Sequence, residues 1–589
     1  MNVSRERTVS LWMDMDVAKA PALDRSEKAD TVVVGSGIAG LSAAYELAVR
    51  GHDVVVLDRG PIGKGMTSRT TAHLVAISDD SFSAFIKLRG EQAAKLYYQS
   101  QSAAIDRIEA LQQELKIACD FRRLDGFLFP ALGSDPSVLD PELEAGRKLG
   151  VTLEDTAGLP FKGLGATRCL RYPDQATFHP LKYLRGLVKA IRSHGGRIYA
   201  DTAVESIDED EKGVAARTTS RKVVRAKYAV VATNSPINGD LPIHSKQGPY
   251  RTYAMSFAIP RGALADALYW DTLDPYHYVR LQPGGRGTDY LIVGGADHKT
   301  GEADDADARF DGLEAWMRNL VPNLGRETHR WSGQVLEPFD YAGFIGLNPG
   351  NEKAYIATGD SGQGMTQGVV AGLLIADLIV RGQSPWSELY DPARKTGSAI
   401  GNFLSENVTA LKNFAEYVAP GELASFDQVR PGHGAIIRHG LKKVAAYRDD
   451  AGKLHTRSAS CTHAGCLVHW NSLEGCWDCP CHGSHFAGDG APLNAPAVSA
   501  LAAIKVATNK SSARAPARAR AKSVGRTAKT KKSRTGGGAK SQPATRRAGS
   551  YKDGAKKRGG GGAAKRAGPG RASKTAPRRT KAAKRRRSS

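Results

Sequence analysis

Five of the chain's seven cysteines fall between residues 461 and 481. Four of the five belong to two short blocks, C-T-H-A-G-C at 461–466 and C-P-C-H-G-S at 479–484. Thiolates and imidazoles at this spacing are metal ligands. Two Cys and two His would satisfy a tetrahedral zinc ion. Zinc, however, gives no role to the additional Cys466 and Cys481, nor to the Gly-Ser that follows His482.

The two blocks resemble the Rieske iron–sulfur domain. The resemblance implies a [2Fe-2S] cluster with Cys461 and Cys479 on one iron and His463 and His482 on the other. It also implies a disulfide between Cys466 and Cys481 that ties the loops together. Burial beside the cluster would protect that bond in a reducing compartment. Cys476 is expected to be a buried thiol, and Cys119 and Cys169 to be buried hydrophobes. Ser484 matches the family serine that bonds a cluster sulfide. Phe486 stands where the high-potential members carry a tyrosine whose hydroxyl reaches a cysteine sulfur. Hydrogen bonds to the sulfurs stabilise the reduced cluster, so a lower potential is expected here.

A second chemistry-bearing pattern lies near the start. The apolar run Thr31–Val34 reads as a buried parallel strand, and Gly35, Gly37 and Gly40 form G-x-G-x-x-G. A helical pattern to about Arg50 and a second strand, Asp53–Leu57, complete the unit, which ends in Asp58. The glycines let the backbone approach a pyrophosphate at a helix N-terminus, and Asp58 is placed for the ribose hydroxyls. Far downstream, Gly359, Gly362 and Gly364 form a turn before a helix from about Met365. The positive end of that helix would stabilise a reduced flavin. Over residues 27–400 the chain resembles the D-amino-acid oxidase-like FAD oxidoreductases, and more narrowly those with a fused C-terminal Rieske domain. By that resemblance Ser68 and Arg69 lie in the loop passing the pyrophosphate and ring, and "VVATNSPI" (230–237) is a second turn near the FAD.

Two insertions, about 85–190 and 240–335, are expected to build a mixed β-sheet over the flavin. Alternation in "YHYVRLQ" reads as a strand with Tyr276, Tyr278 and Arg280 on one face. The candidates for the substrate pocket are His73, Arg251, Tyr278, Arg280 and His298. Arginine suits a substrate carboxylate because it is a rigid two-pronged donor.

These elements set the architecture. At 589 residues the chain exceeds one core. The expected class is α/β: an N-terminal extension (1–26), a Rossmann-type FAD domain (27–417), a small all-β Rieske domain (418–507) and a disordered basic tail (508–589). Residues 510–589 hold 28 of the 83 Lys and Arg and one of the 60 acids, so the rest of the chain is net −4 and the formal +23 belongs to the tail. Tyr551 is the tail's only aromatic residue. Such a segment cannot offset its ordering entropy, resembles histone-like tails and is expected to bind nucleic acid without sequence choice. No apolar leader follows Met1, and "VVAGLLIADLIV" (369–380) is too short to span a bilayer. A cytoplasmic, nucleoid-associated protein is the expectation. The functional expectation is oxidation of an amine or amino-acid-like substrate, with hydride transfer to FAD and single electrons passed between flavin, cluster and an outside carrier. The rival is a DNA-associated redox sensor.

Overall fold

The computed structural model describes residues 5–238, 241–395, 413 and 415–506. The basic tail, with the disorder and nucleic-acid binding expected of it, lies outside the described residues.

The strand Glu27–Val34 is buried where its apolar run begins, and it pairs in parallel with Val54–Leu57 on one side and Val223–Val231 on the other. The sheet runs Phe344–Leu347, Ala354–Thr358, Val223–Val231, Glu27–Val34, Val54–Leu57, Arg197–Tyr199. Only its Phe344–Leu347 edge is antiparallel on this path. Continuous Val/Leu runs suit a parallel sheet covered on both faces. The helix Ile38–Ala48 covers it, and Gly364–Arg381 packs against that helix. A Cβ on Gly372 would lie 2.6 Å from the Ser42 Cβ, so the glycines of the second helix are what let the two approach. By length and composition Gly364–Arg381 could cross a membrane, but most of its side chains are buried in this core.

The insertions form a nine-stranded sheet, ordered Glu327–Pro338, Gln247–Pro260, Thr288–Lys299, Tyr278–Pro283, Leu268–Asp271, Arg122–Phe129, Arg168–Thr177 and His73–Leu74, with Glu154–Ala157 beside Arg168–Thr177. Its long central strands carry alternating side chains to opposite faces, which decides below which candidates reach the cavity.

Residues 415–506 form two small antiparallel sheets. One holds Gly434–His439, Lys442–Arg448 and Leu454–Ser458. The other holds His469–Asn471, Cys476–Asp478, His485–Ala487 and Pro492–Asn494. They pack around Trp477, Phe486 and the cysteines.

Residues 5–12 of the N-terminal extension clasp the two parts together. Arg7 donates to the Gly432 and Ser472 carbonyls, and Thr8 donates to Glu474. Ser10 and Trp12 then donate to the Ser68 and Thr70 carbonyls.

Candidate functional site

Strand–turn–helix geometry forms the first cradle. Gly35 has φ +108°, and a Cβ there would lie 2.3 Å from the Ala232 carbonyl oxygen. A Cβ on Gly40 would lie 1.9 Å from the Gly35 carbonyl oxygen. Both glycines are therefore required by backbone packing, while Gly37 faces the cradle. Asp58 accepts hydrogen bonds from the Ser36 amide (2.8 Å) and hydroxyl (2.6 Å). The cradle, Asp58 and the start of the helix at Gly364 and Met365 all line one cavity of about 880 Å³. Gly359 and Gly362 turn the chain into that helix at φ +73° and +68°. These residues fit FAD: a glycine-lined pyrophosphate path, a carboxylate at the strand end and a second helix N-terminus share one space.

The inserted sheet roofs the same cavity. His73 and Tyr278 line it, with rings 5.4 Å apart and edge-on. Burial, reinforced by Arg280, pushes the His73 imidazole down to about 3, so it is neutral near pH 7.

Three candidates are turned elsewhere, as is the side chain of Arg69. Tyr250 and Thr252 line the cavity, so strand alternation sends the intervening Arg251 to the opposite face. There it pairs with Asp478 at 2.9 Å and donates to Ser332. In the same way Asp297 faces the cavity and His298 stacks on Tyr253. Arg280 follows Tyr278 at two residues, but its guanidinium donates to the Thr71, Ala72 and Phe178 carbonyls. Arg69 borders the cavity, yet its guanidinium pairs with Glu474 (2.9 Å) and Glu6 (3.1 Å), and all three side chains are fully buried. Ser68 donates to the Gly65 carbonyl within the same loop.

The acids at the cavity escaped the sequence reading. Asp79 accepts from the Tyr276 hydroxyl, and Ser361 donates to Glu337 (2.9 Å) and Asp80 (3.4 Å). Burial is the main cause that raises their carboxyls: Asp79 and Asp360 to about 6, Asp80 and Asp297 to about 7, and Glu337 upward as well. The signal was present as Asp-Asp in "LVAISDDSFS", where an apolar stretch meets two charges.

The second centre is built by two turns. The Cys461 amide donates to the Cys466 carbonyl, and the Cys479 amide to the Ser484 carbonyl. Gly465 and Gly483 close the turns at φ +79° and +76°. Cys461 and Cys479 are buried neighbours, and the His463 and His482 rings are 4.9 Å apart. His482 Nδ1 is buried without a hydrogen-bond partner. Two thiols, two imidazoles and an orphaned ring nitrogen fit a Rieske cluster. Cys466 and Cys481 form the expected disulfide, and its sulfurs lie within 4.8 Å of Cys479. The Ser484 hydroxyl bonds to Cys461, and Phe486 is fully buried alongside. Cys119, Cys169 and Cys476 are buried.

The two centres meet through His244. Its ring lies 4.9 Å from that of His463 and 5.9 Å from that of His482. Its Nδ1 is 3.2 Å from the Ser235 hydroxyl. Thr233 and Asn234, just before Ser235, line the cavity.

A dinucleotide cradle opening into a roofed cavity, joined to a Cys₂His₂ loop pair, defines a flavin-dependent oxidoreductase carrying an iron–sulfur module. The chain belongs to the FAD dependent oxidoreductase family, whose model matches residues 30–378; a Rieske [2Fe-2S] domain model matches residues 421–506. It is 29% identical over 502 residues, 85% of this chain and 98% of the relative, to YhfW of Bacillus subtilis (strain 168), whose name assigns it to the Rieske 2Fe-2S iron–sulfur proteins. It is 27% identical over 380 residues to gamma-glutamylputrescine oxidoreductase of Escherichia coli (strain K12), covering 61% of this chain and 85% of that one. The crystal structure of glycine oxidase from Geobacillus kaustophilus shares the fold at TM-score 0.53 and 19% identity, covering 63% of this chain and all of that one. The protein is thus an FAD-dependent oxidoreductase with a Rieske domain, binding FAD and a [2Fe-2S] cluster.

Proposed function

We propose that this protein is an amine dehydrogenase in which the cavity oxidises a CH–NH donor and the Rieske module exports the electrons one at a time. The observation that carries it is the contact between His244, on the segment bordering the cavity, and both histidines of the cluster loops. Oxidising an amine to an imine releases a hydride and a proton. When bound, FAD supplies the two-electron acceptor and the cluster a one-electron carrier. The chain's own residues shape the donor pocket with Tyr276, Tyr278 and Trp270 and present a neutral His73 to it under the inserted sheet. The buried pairs Arg69–Glu474 and Arg251–Asp478 hold the cluster module against the cavity wall.

The test is anaerobic addition of candidate amines to the purified protein. The flavin bands should bleach first and the reduced cluster's low-temperature EPR signal should follow. A flavin that bleaches while the cluster stays oxidised indefinitely would reject the reading.

A further inference from the structure

Six carboxylates converge on the cavity from separate segments: Asp79, Asp80, Asp274, Asp297, Glu337 and Asp360. Among the described residues none of the six forms an ion pair with Lys or Arg. Among the described residues Arg69 is the only Lys or Arg bordering the cavity, and its charge is taken up by Glu6 and Glu474. His73 is neutral and adds nothing to offset them.

Five of the six are half-buried and Asp274 is exposed; carboxylates gathered in a partly desolvated cavity without counter-charge are costly, and a cationic ligand would relieve that cost. The raised proton affinity of five of the six expresses the same deficit. A single metal ion is not the fit: among the described residues no three of these carboxylates bring ligand atoms within 4.8 Å of one another. One further group, and an oxygen of one of the six, mark the cavity as built for a polar guest. The Ser78 hydroxyl, only 6% exposed, lines it without a hydrogen-bond partner, and so does Asp297 Oδ1.

We infer that the donor is a polycationic amine without a carboxylate, a diamine or polyamine that presents one nitrogen for oxidation and keeps at least one ammonium among these acids. The inference rests on the reading of the cavity as the donor site. It also accounts for Arg251 and Arg280, the residues suited to a carboxylate, being spent on Asp478 and on backbone carbonyls.

The test is an anaerobic titration of the holoprotein, read by the shift of its visible flavin bands, with 1,4-diaminobutane, spermidine, n-butylamine, glycine and D-alanine. The diamine and polyamine should bind at least about tenfold more tightly than the monoamine and the amino acids, one ion pair being worth that much in a desolvated site. Asp80→Asn and Glu337→Gln, each checked for an unchanged flavin content and melting profile, should erase the preference. Equal or tighter binding of the monoamine or of an amino acid, or no binding of any amine, overturns the inference. Bleaching is read in the same samples. Amino acids that bleach the flavin while diamines fail to bind would leave the dehydrogenase reading standing and remove this one. Diamines that bind while no CH–NH donor bleaches the flavin would remove the dehydrogenase reading and with it the donor role, leaving only a cation-binding cavity.

Discussion

The ring of His244 meets that of His463 edge-on, centroid to centroid 4.9 Å, and so joins the loop bordering the flavin cavity to a histidine of the cluster loops. His244 is buried at 1% exposure, with the Ser235 hydroxyl at its Nδ1, and His463 is half-buried beside it. Thr233 then donates to the Ser235 carbonyl at 2.6 Å and lines the cavity itself. Covalent and hydrogen-bonded atoms therefore run from the cavity wall to His244, and ring contacts complete the path to the cluster ligands. His244→Ala is expected to leave substrate bleaching of the flavin unchanged and to slow reduction of the cluster. Stopped-flow absorbance for the flavin and freeze-quench EPR for the cluster separate the two. Equal slowing of both phases would show that His244 only supports the fold.

Phe486 is fully buried in the cluster of side chains around Cys461 and Cys479. It brings no donor to a cysteine sulfur. Adding one with Phe486→Tyr should stabilise the reduced, more negative cluster and raise its midpoint. A hydrogen bond worth about 1.4 kcal/mol corresponds to ~60 mV for a one-electron couple. Redox titration followed by EPR measures it, and an unchanged midpoint would remove Phe486 as a determinant.

The cofactor sites were legible because their chemistry is local in sequence. Three glycines, an acid 18 residues on and two loop motifs each specify a turn and its ligands with few alternatives. The substrate pocket was not, because it is assembled by cross-strand register. Arg251 and His298 are paired neighbours on adjacent strands, and a one-residue change of phase decides whether such side chains meet the cavity or the opposite face. Sequence alternation places them relative to their neighbours but not relative to the cavity. The clasp of residues 5–12 was invisible for a different reason: its partners Glu474 and Gly432 lie more than 400 positions away.

Gly40 offers a sharp test of the cradle. An added Cβ would lie 1.9 Å from the Gly35 carbonyl oxygen, which is backbone and cannot yield cheaply. Gly40→Ala should therefore separate the helix Ile38–Ala48 from its strand and lose FAD on purification. The cluster loops are remote in sequence from this turn. The visible spectrum of the variant should show the iron–sulfur bands with the flavin bands gone or strongly reduced. Full flavin content would refute the packing role.

Glu474 links the cluster module to the flavin loop, and its titration has a definite sign. Burial alone would raise its carboxyl, but Arg69 and then Arg251 hold it below the usual value. Asp478 is held low in the same way, burial opposing and Arg251 prevailing. A carboxylate whose folded value is depressed contributes stability that is fully present above its unfolded value, about 4.3 for Glu, and is lost as pH falls through the folded value. Removing one partner of a buried pair leaves the other charge uncompensated, at a cost of about 3–5 kcal/mol. Glu474→Gln should lower the unfolding free energy measured by urea titration by that much at pH 7, because Arg69 keeps only Glu6 and neutral acceptors. The gap between wild type and variant should narrow as the pH falls from about 4.3 through the depressed folded value of Glu474. A gap that stayed constant from pH 7 to pH 3 would mean that the Arg69–Glu474 pair contributes through packing and not through charge.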